Sequence, residues 1–265
     1  MRRINILYMA TYKKRGYKPK TKTDKADLLE QESTTAGVFK TLDEGASRTE
    51  EWVAKNQKYI FIIVAFAIVV VLGYLGYAKF IQEPKESQAM NDMFQAQQYF
   101  DKALVASGTE KDSLLNLALK GGEGKFGMLD IIDEYSGTNA ANQANYYAGT
   151  AYLYMQDYQN AITYLSDFSS DDMTVGPVAT GDIGDAFLQL NQPEDALDYY
   201  VKAAEMQTND YTTPMYLYKA GNTAMQLGLN KKALDYFTRI KEEFPNATDA
   251  VIIDVFIGKA EAASN

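Results

Sequence analysis

ANYYAGTAYLYMQDYQNAITYL, residues 144–165, is a passage that the chain writes three times. The first copy extends through Phe168. The second runs from Ala179 through ATGDIGDAF and PEDALDYYVKA to Ala203, and the third from Tyr216 through YLYKAGNTA and NKKALDYF to Pro245. Aligning the copies on Ala161, Ala196 and Ala233 gives spacings of 35 and 37 residues. Twelve residues before each of these alanines stands a glycine, Gly149, Gly184 or Gly221. Ten before stands a small residue, Ala151, Ala186 or Thr223, and four after a bulky one, Leu165, Tyr200 or Phe237. Small residues at these places let the first helix of a copy (helix A) lie close against the second (helix B), and the bulky residues fill the seam. One such helix pair cannot bury its own apolar face, so the copies are expected to stack.

The set of positions resembles the tetratricopeptide repeat, whose period is about 34 residues. The resemblance covers about residues 140–245. It departs from the pattern where Asn145 and Thr180 stand at the repeat's tryptophan position, and only Pro245 serves as a closing proline. Residues 248–262 then read as a terminal capping helix. Such arrays form a concave groove from their helix A faces. The implied protein-binding residues are Tyr146, Thr150, Leu153 and Tyr154; Asp185, Leu188 and Gln189; and Tyr218, Asn222, Met225 and Gln226. Gln143, Val178 and Met215 stand on the same faces. Tyr, Met and Gln together suit an adaptable surface for extended or helical peptides. No basic clamp for an anionic C-terminal peptide is apparent. Tyr152, Tyr164, Tyr199 and Tyr236 fall at repeat seams, where packing accounts for them.

Upstream, residues 59–78 read YIFIIVAFAIVVVLGYLGYA, with Lys58 before and Lys79 after and no charge between. Twenty residues at 1.5 Å each span about 30 Å, the thickness of a bilayer core, and the run is apolar all round. Tyr59, Tyr74 and Tyr77 stand at its ends, as interfacial anchors do. Residues 59–79 are therefore expected to be a signal-anchor span. The apolar run begins too late and is too long for a cleavable signal peptide. Residues 1–58 hold 13 Lys and Arg against 8 Asp and Glu, a net of +5, and residues 79–265 hold 13 against 27, a net of −14. The positive side should remain cytoplasmic and the acidic domain, residues 85–265, should be exported to the periplasm of an inner-membrane protein. Residues 1–35 are basic and expected to be disordered; their partners are anionic lipid, or a ribosomal or translocase surface, and not DNA. Residues 36–58 carry an amphipathic pattern (Val38, Leu42, Thr49, Trp52 and Val53) expected to lie along the membrane surface.

Between span and repeats, Pro84 is expected to break or bend the chain. A helix over 90–104 is expected to end at Gly108–Thr109. Shorter helices follow over 113–119 and 126–135, with the Gly-rich run 121–124 a loop and 136–138 a stop. The chain has no Cys and no His, which removes disulfides, the commonest general base, the usual zinc ligand and every Ser-His or Cys-His arrangement. The paired acids Asp171–Asp172, Glu194–Asp195 and Glu242–Glu243 diverge by about 100° on a helix and make no carboxylate dyad. No catalytic, cofactor or metal residue is assigned. The fold expected is all-α: one transmembrane helix followed by a tetratricopeptide-like helical-repeat α-solenoid.

This order of parts, together with EWVAKNQKYI at 51–60 and FGMLDIIDEYSGTNAANQANYYAG at 126–149, resembles the YfgM family of inner-membrane proteins in its Bacteroidota version. The resemblance covers roughly 50–260. It implies a non-catalytic ancillary subunit of the SecYEG translocon that partners a PpiD-like prolyl isomerase and assists nascent exported chains. Gly73 and Gly76 would then admit a neighbouring helix beside the span. A membrane-anchored repeat scaffold for envelope assembly, cell division or another secretion apparatus would have much the same sequence.

Overall fold

The structure, a computed structural model, describes residues 51–247 and 252–264. The basic tail, most of the amphipathic segment and the start of the expected capping helix lie outside the described residues. The chain divides into two compact units between Tyr74 and Leu75. In the first, residues 51–74 are helical, and every residue from 61 to 74 is exposed. A core helix of a soluble domain would bury one side of such a run; this one buries none. The helix Glu51–Val105 is long and apolar enough to cross a membrane. We call its first part, residues 51–77, α1.

The second unit is a stack of helices. Ala78–Gln82 is a π-helical turn, in which the Glu83 N–H donates to the Ala78 carbonyl. Helix α2, Glu83–Val105, follows directly with Pro84 in its first turn. The expected break at Pro84 does not occur. The backbone stays helical through it, and the widened π-turn immediately ahead accommodates the ring and the N–H that proline lacks. Helix α3 is Gly108–Lys120, so Gly108 and Thr109 start a helix where the sequence suggested only a stop. Gly108 has φ +60°, which turns the chain out of α2 through Ala106 and Ser107. The Gly-rich run forms a tight turn closed by an isolated bridge between Gly122 and Lys125. Gly121 there has φ +73°, and a Cβ on it would strike the Lys125 carbonyl. Helix α4, Met128–Glu134, leads into α5, Asn139–Tyr154, capped by Thr138 accepting from the Ala141 N–H at 3.1 Å.

The repeat region is three helix hairpins: α5 with α6, Tyr158–Asp167; α7, Val175–Gln189, with α8, Pro193–Met206; and α9, Thr212–Gln226, with α10, Asn230–Glu243. Helix α11, Ile253–Ser264, packs on α10. No strand occurs among the described residues. The tight turn of each hairpin is built alike. Gln156, Asn191 and Gly228 occupy the left-handed region at φ 62°, 57° and 72°. Each N–H there donates to the carbonyl three residues back, to Leu153, Leu188 and Met225, and the next N–H reaches back five, to Tyr152, Phe187 and Ala224. That pair of bonds is the Schellman motif, which satisfies the last carbonyls of each helix A.

The spacing read from the sequence holds in space. A Cβ on Gly149 would stand 2.5 Å from Leu165 Cγ, one on Gly184 2.7 Å from the Tyr200 ring, and one on Gly221 2.3 Å from the Phe237 ring. Ala161, Ala196 and Ala233 are fully buried between the helices they join. Three apolar clusters run along the stack. One joins α2–α5 around Met93, Leu115 and Ile131; a small one lies at the α6–α7 seam around Leu165 and Ile183; a third joins α8–α11 around Tyr200, Leu217 and Phe237.

Candidate protein-binding groove

The three A helices, α5, α7 and α9, carry the residues expected to face the groove, and the structure places them unequally. Tyr154, Gln189 and Gln226 are exposed, with the Lys111 ammonium 4.2 Å over the Tyr154 ring. Leu153, Leu188 and Met225 are half-buried. Tyr218 is half-buried beneath α11, 4.9 Å from Phe256 and 6.2 Å from Phe237, and Asn222 donates to its carbonyl at 2.9 Å. That end of the A-helix face is thus roofed by aromatic packing. Tyr146 is half-buried and packs on Phe168 at 5.2 Å. It borders a cleft of about 480 Å³ with Asn142, Gln143 and Tyr147. Thr150 is buried. A second cleft, about 650 Å³, lies on the B helices between Asp198, Lys202, Glu205 and Lys232.

Asp185 is the centre of a polar knot. Lys219 donates to both its carboxylate oxygens at 2.7 Å, and the Tyr200 hydroxyl donates to one at 2.6 Å. The Lys219 ammonium also lies 5.5 Å over the Tyr200 ring and 5.6 Å over Tyr216. These rings stack at 6.4 Å, and Tyr216 lies across Gly181, where any Cβ would strike it. Burial, with the carboxylates beside them, raises both phenols far above their ordinary range.

Asp182, one turn before Asp185, takes part in no hydrogen bond or ion pair among the described residues. Burial pushes its carboxyl up to about 7; the Asp185 charge acts in the same direction, and Lys219 opposes both. The Tyr146 phenol is raised first by burial and then by the Asp182 charge, while the Thr150 hydroxyl pulls it down. Sequence reading passed over Asp182, Tyr216 and Lys219. Counting from the glycine of each copy would have found them. Lys219 is two before Gly221 and its partner Asp185 one after Gly184; Asp182 and Thr150 hold the same two places in the preceding copies.

No group of His, Cys, Asp and Glu that could hold a metal occurs among the described residues. Two stretches of the chain, residues 143–171 and 182–248, match the tetratricopeptide repeat. No curated protein matches the chain. The chain therefore carries a tetratricopeptide-repeat interaction domain together with a membrane-length helix, a non-catalytic combination.

Proposed function

We propose that this chain is an ancillary, non-catalytic subunit of the SecYEG translocon. Its groove holds polypeptide at the channel exit and it works beside a PpiD-like prolyl isomerase. The observation that carries this reading is the pairing, on one chain, of a protein-interaction repeat domain with a helix of membrane-crossing length and apolarity. The YfgM resemblance supplies the identity of the machine. In this reading residues 1–35 are a basic cytoplasmic tail, 36–58 a juxtamembrane helix, 59–79 the span and 85–265 a periplasmic domain. The excess of Lys and Arg before the span supports that orientation. Membrane attachment raises the effective concentration of the groove near the exit, so weak contacts with exported chains suffice.

The test is a photo-crosslinker placed in turn at Leu72 and Gln189, both exposed, followed by recovery from native membranes in mild detergent. SecY or a PpiD-like isomerase at Leu72, with exported chains or the isomerase at Gln189, is the expected result. Recovery of division or outer-membrane assembly proteins alone would replace the translocon with an envelope scaffold.

A further inference from the structure

The apolar character of the span does not end at Ala78. Lys79, Phe80, Ile81 and Gln82 follow in the π-helical turn, within the same compact unit as the repeats. Phe80 is 80% exposed and Ile81 56%. The Lys79 charge that separates them from the run is closed by Glu83 at 2.7 Å. Two large apolar side chains held in the open one turn beyond a membrane-length run are accounted for if the same membrane covers them.

The turn carries part of the repeat domain with it. Gln82 accepts from the Tyr77 hydroxyl at 3.4 Å and donates to the Gly137 carbonyl at 2.9 Å. Lys85 donates to the Ser136 carbonyl at 3.0 Å, and Glu86 accepts from the Asn139 and Ala140 N–H groups. The loop between α4 and α5 is thereby strapped to the first residues after the span. Ser136 and Gly137 are themselves exposed. Asp133 and Glu134 close α4 just before the loop, but from Tyr135 to Gln156 the chain holds no charged residue, in a region (residues 79–265) of net −14. Of the acids on the strap, Glu83 is paired with Lys79 and Glu86 is engaged by two N–H groups. Anionic lipid repels an acidic domain except where its acids are absent or paired, and the strapped loop is such a place.

We propose that Phe80, Ile81 and the Ser136–Gly137 loop rest in the headgroup layer of the bilayer, so that the repeat domain is seated on the membrane surface through this loop. The inference rests on the span reading above and adds a second, lipid-facing surface to it. The headgroup layer adds about 5–7 Å to each side of the hydrocarbon core, about four residues of helix, which reaches from Ala78 to Gln82. Gly137, bonded to Gln82, stands at the outer edge of that layer, and Ser136, bonded to Lys85, stands about 10 Å beyond the core. Phe80 and Ile81 take the depth that interfacial aromatic and aliphatic side chains favour, and the uncharged loop meets the polar headgroups.

The chain has no Cys, so one substitution creates one labelling site. The experiment uses the full chain in phosphatidylethanolamine–phosphatidylglycerol vesicles. The dye NBD is placed in turn at Leu72→Cys, Phe80→Cys, Ser136→Cys and Glu242→Cys, all exposed positions. Nitroxide quenchers are carried either on the lipid headgroups or deep in the acyl chains. The acyl-chain quencher should act on Leu72, and the headgroup quencher should remove about half of the emission at Phe80 and Ser136 while leaving Glu242 nearly unchanged. If Leu72 is quenched and Ser136 is quenched no more than Glu242, the inference is overturned and the span reading stands. A Phe80 label untouched by either quencher, with Leu72 quenched, overturns it as well. If Leu72 escapes both quenchers, the span reading fails and the inference falls with it.

Discussion

At the residue scale, the left-handed turn positions and Asp182 carry consequences that do not depend on the partner. Gln156, Asn191 and Gly228 hold one backbone conformation with three side chains, and only glycine holds it without strain. Gln156→Gly should therefore stabilise the domain by about 0.5–1 kcal/mol, and Gly228→Ala should destabilise it by about 1 kcal/mol. Urea denaturation of the two variants measures both. Asp182 gives a pH signature. Its carboxyl is raised to about 7 in the fold, so between the ordinary carboxylate value and 7 the folded chain keeps a proton that the unfolded chain has lost. Stability from this group is fully present below the ordinary value, falls as pH rises toward 7, and is level above it. Asp182→Asn should raise the melting temperature at pH 8 and leave it nearly unchanged at pH 4, as differential scanning fluorimetry at both values would show.

At the element scale, the hairpins were legible in the sequence because close packing dictates residue type. Where α5 nears α6, a side chain on Gly149 would meet Leu165, so the glycine recurs at fixed distance from the buried alanine in each copy. The elements before the repeats were less legible. Pro84 reads as a break, yet a π-turn just ahead of it lets the helix run on, and a π-turn leaves no mark in composition. Gly108 reads as a stop because its left-handed turn could as well end one helix as begin the next. Long-range capping was invisible altogether. Glu86 on α2 accepts from the Asn139 N–H at 2.7 Å and the Ala140 N–H at 2.8 Å, satisfying two of the first donors of α5 across more than fifty residues of chain. Beside it Gln82 donates to the Gly137 carbonyl at 2.9 Å and Lys85 to Ser136 at 3.0 Å. Glu86→Ala should lower stability by about 1–2 kcal/mol, as loss of a helix cap does, with Glu86→Gln milder because one oxygen remains. Thermal unfolding of both variants separates the cap from simple loss of charge. The Asp185–Lys219 pair escaped sequence reading for the same reason: its members are 34 residues apart and belong to different copies.

At the scale of the whole molecule, the question is what the apolar helix contributes besides attachment. Gly73 and Gly76 have nothing within 4 Å of where a Cβ would stand, so within this chain they relieve no crowding. Glycine in a helix lowers its stability relative to alanine, and two such residues near the end of a β-branched run are explained if another helix approaches there. Replacing residues 59–78 with a leucine–alanine span of equal length keeps the tether and removes that approach surface. The expected result is loss of the Leu72-type crosslinks to a membrane partner with the Gln189 crosslinks reduced only a few-fold. Tethering alone keeps the groove at high local concentration in the two-dimensional membrane, while lateral docking adds the alignment with one machine. If both sets of crosslinks survive the swap unchanged, the span is an anchor and nothing more, and partner choice resides wholly in the acidic repeat domain. If both vanish while the repeat domain keeps its melting temperature, the groove engages polypeptide only when the span has placed it beside the source of that polypeptide.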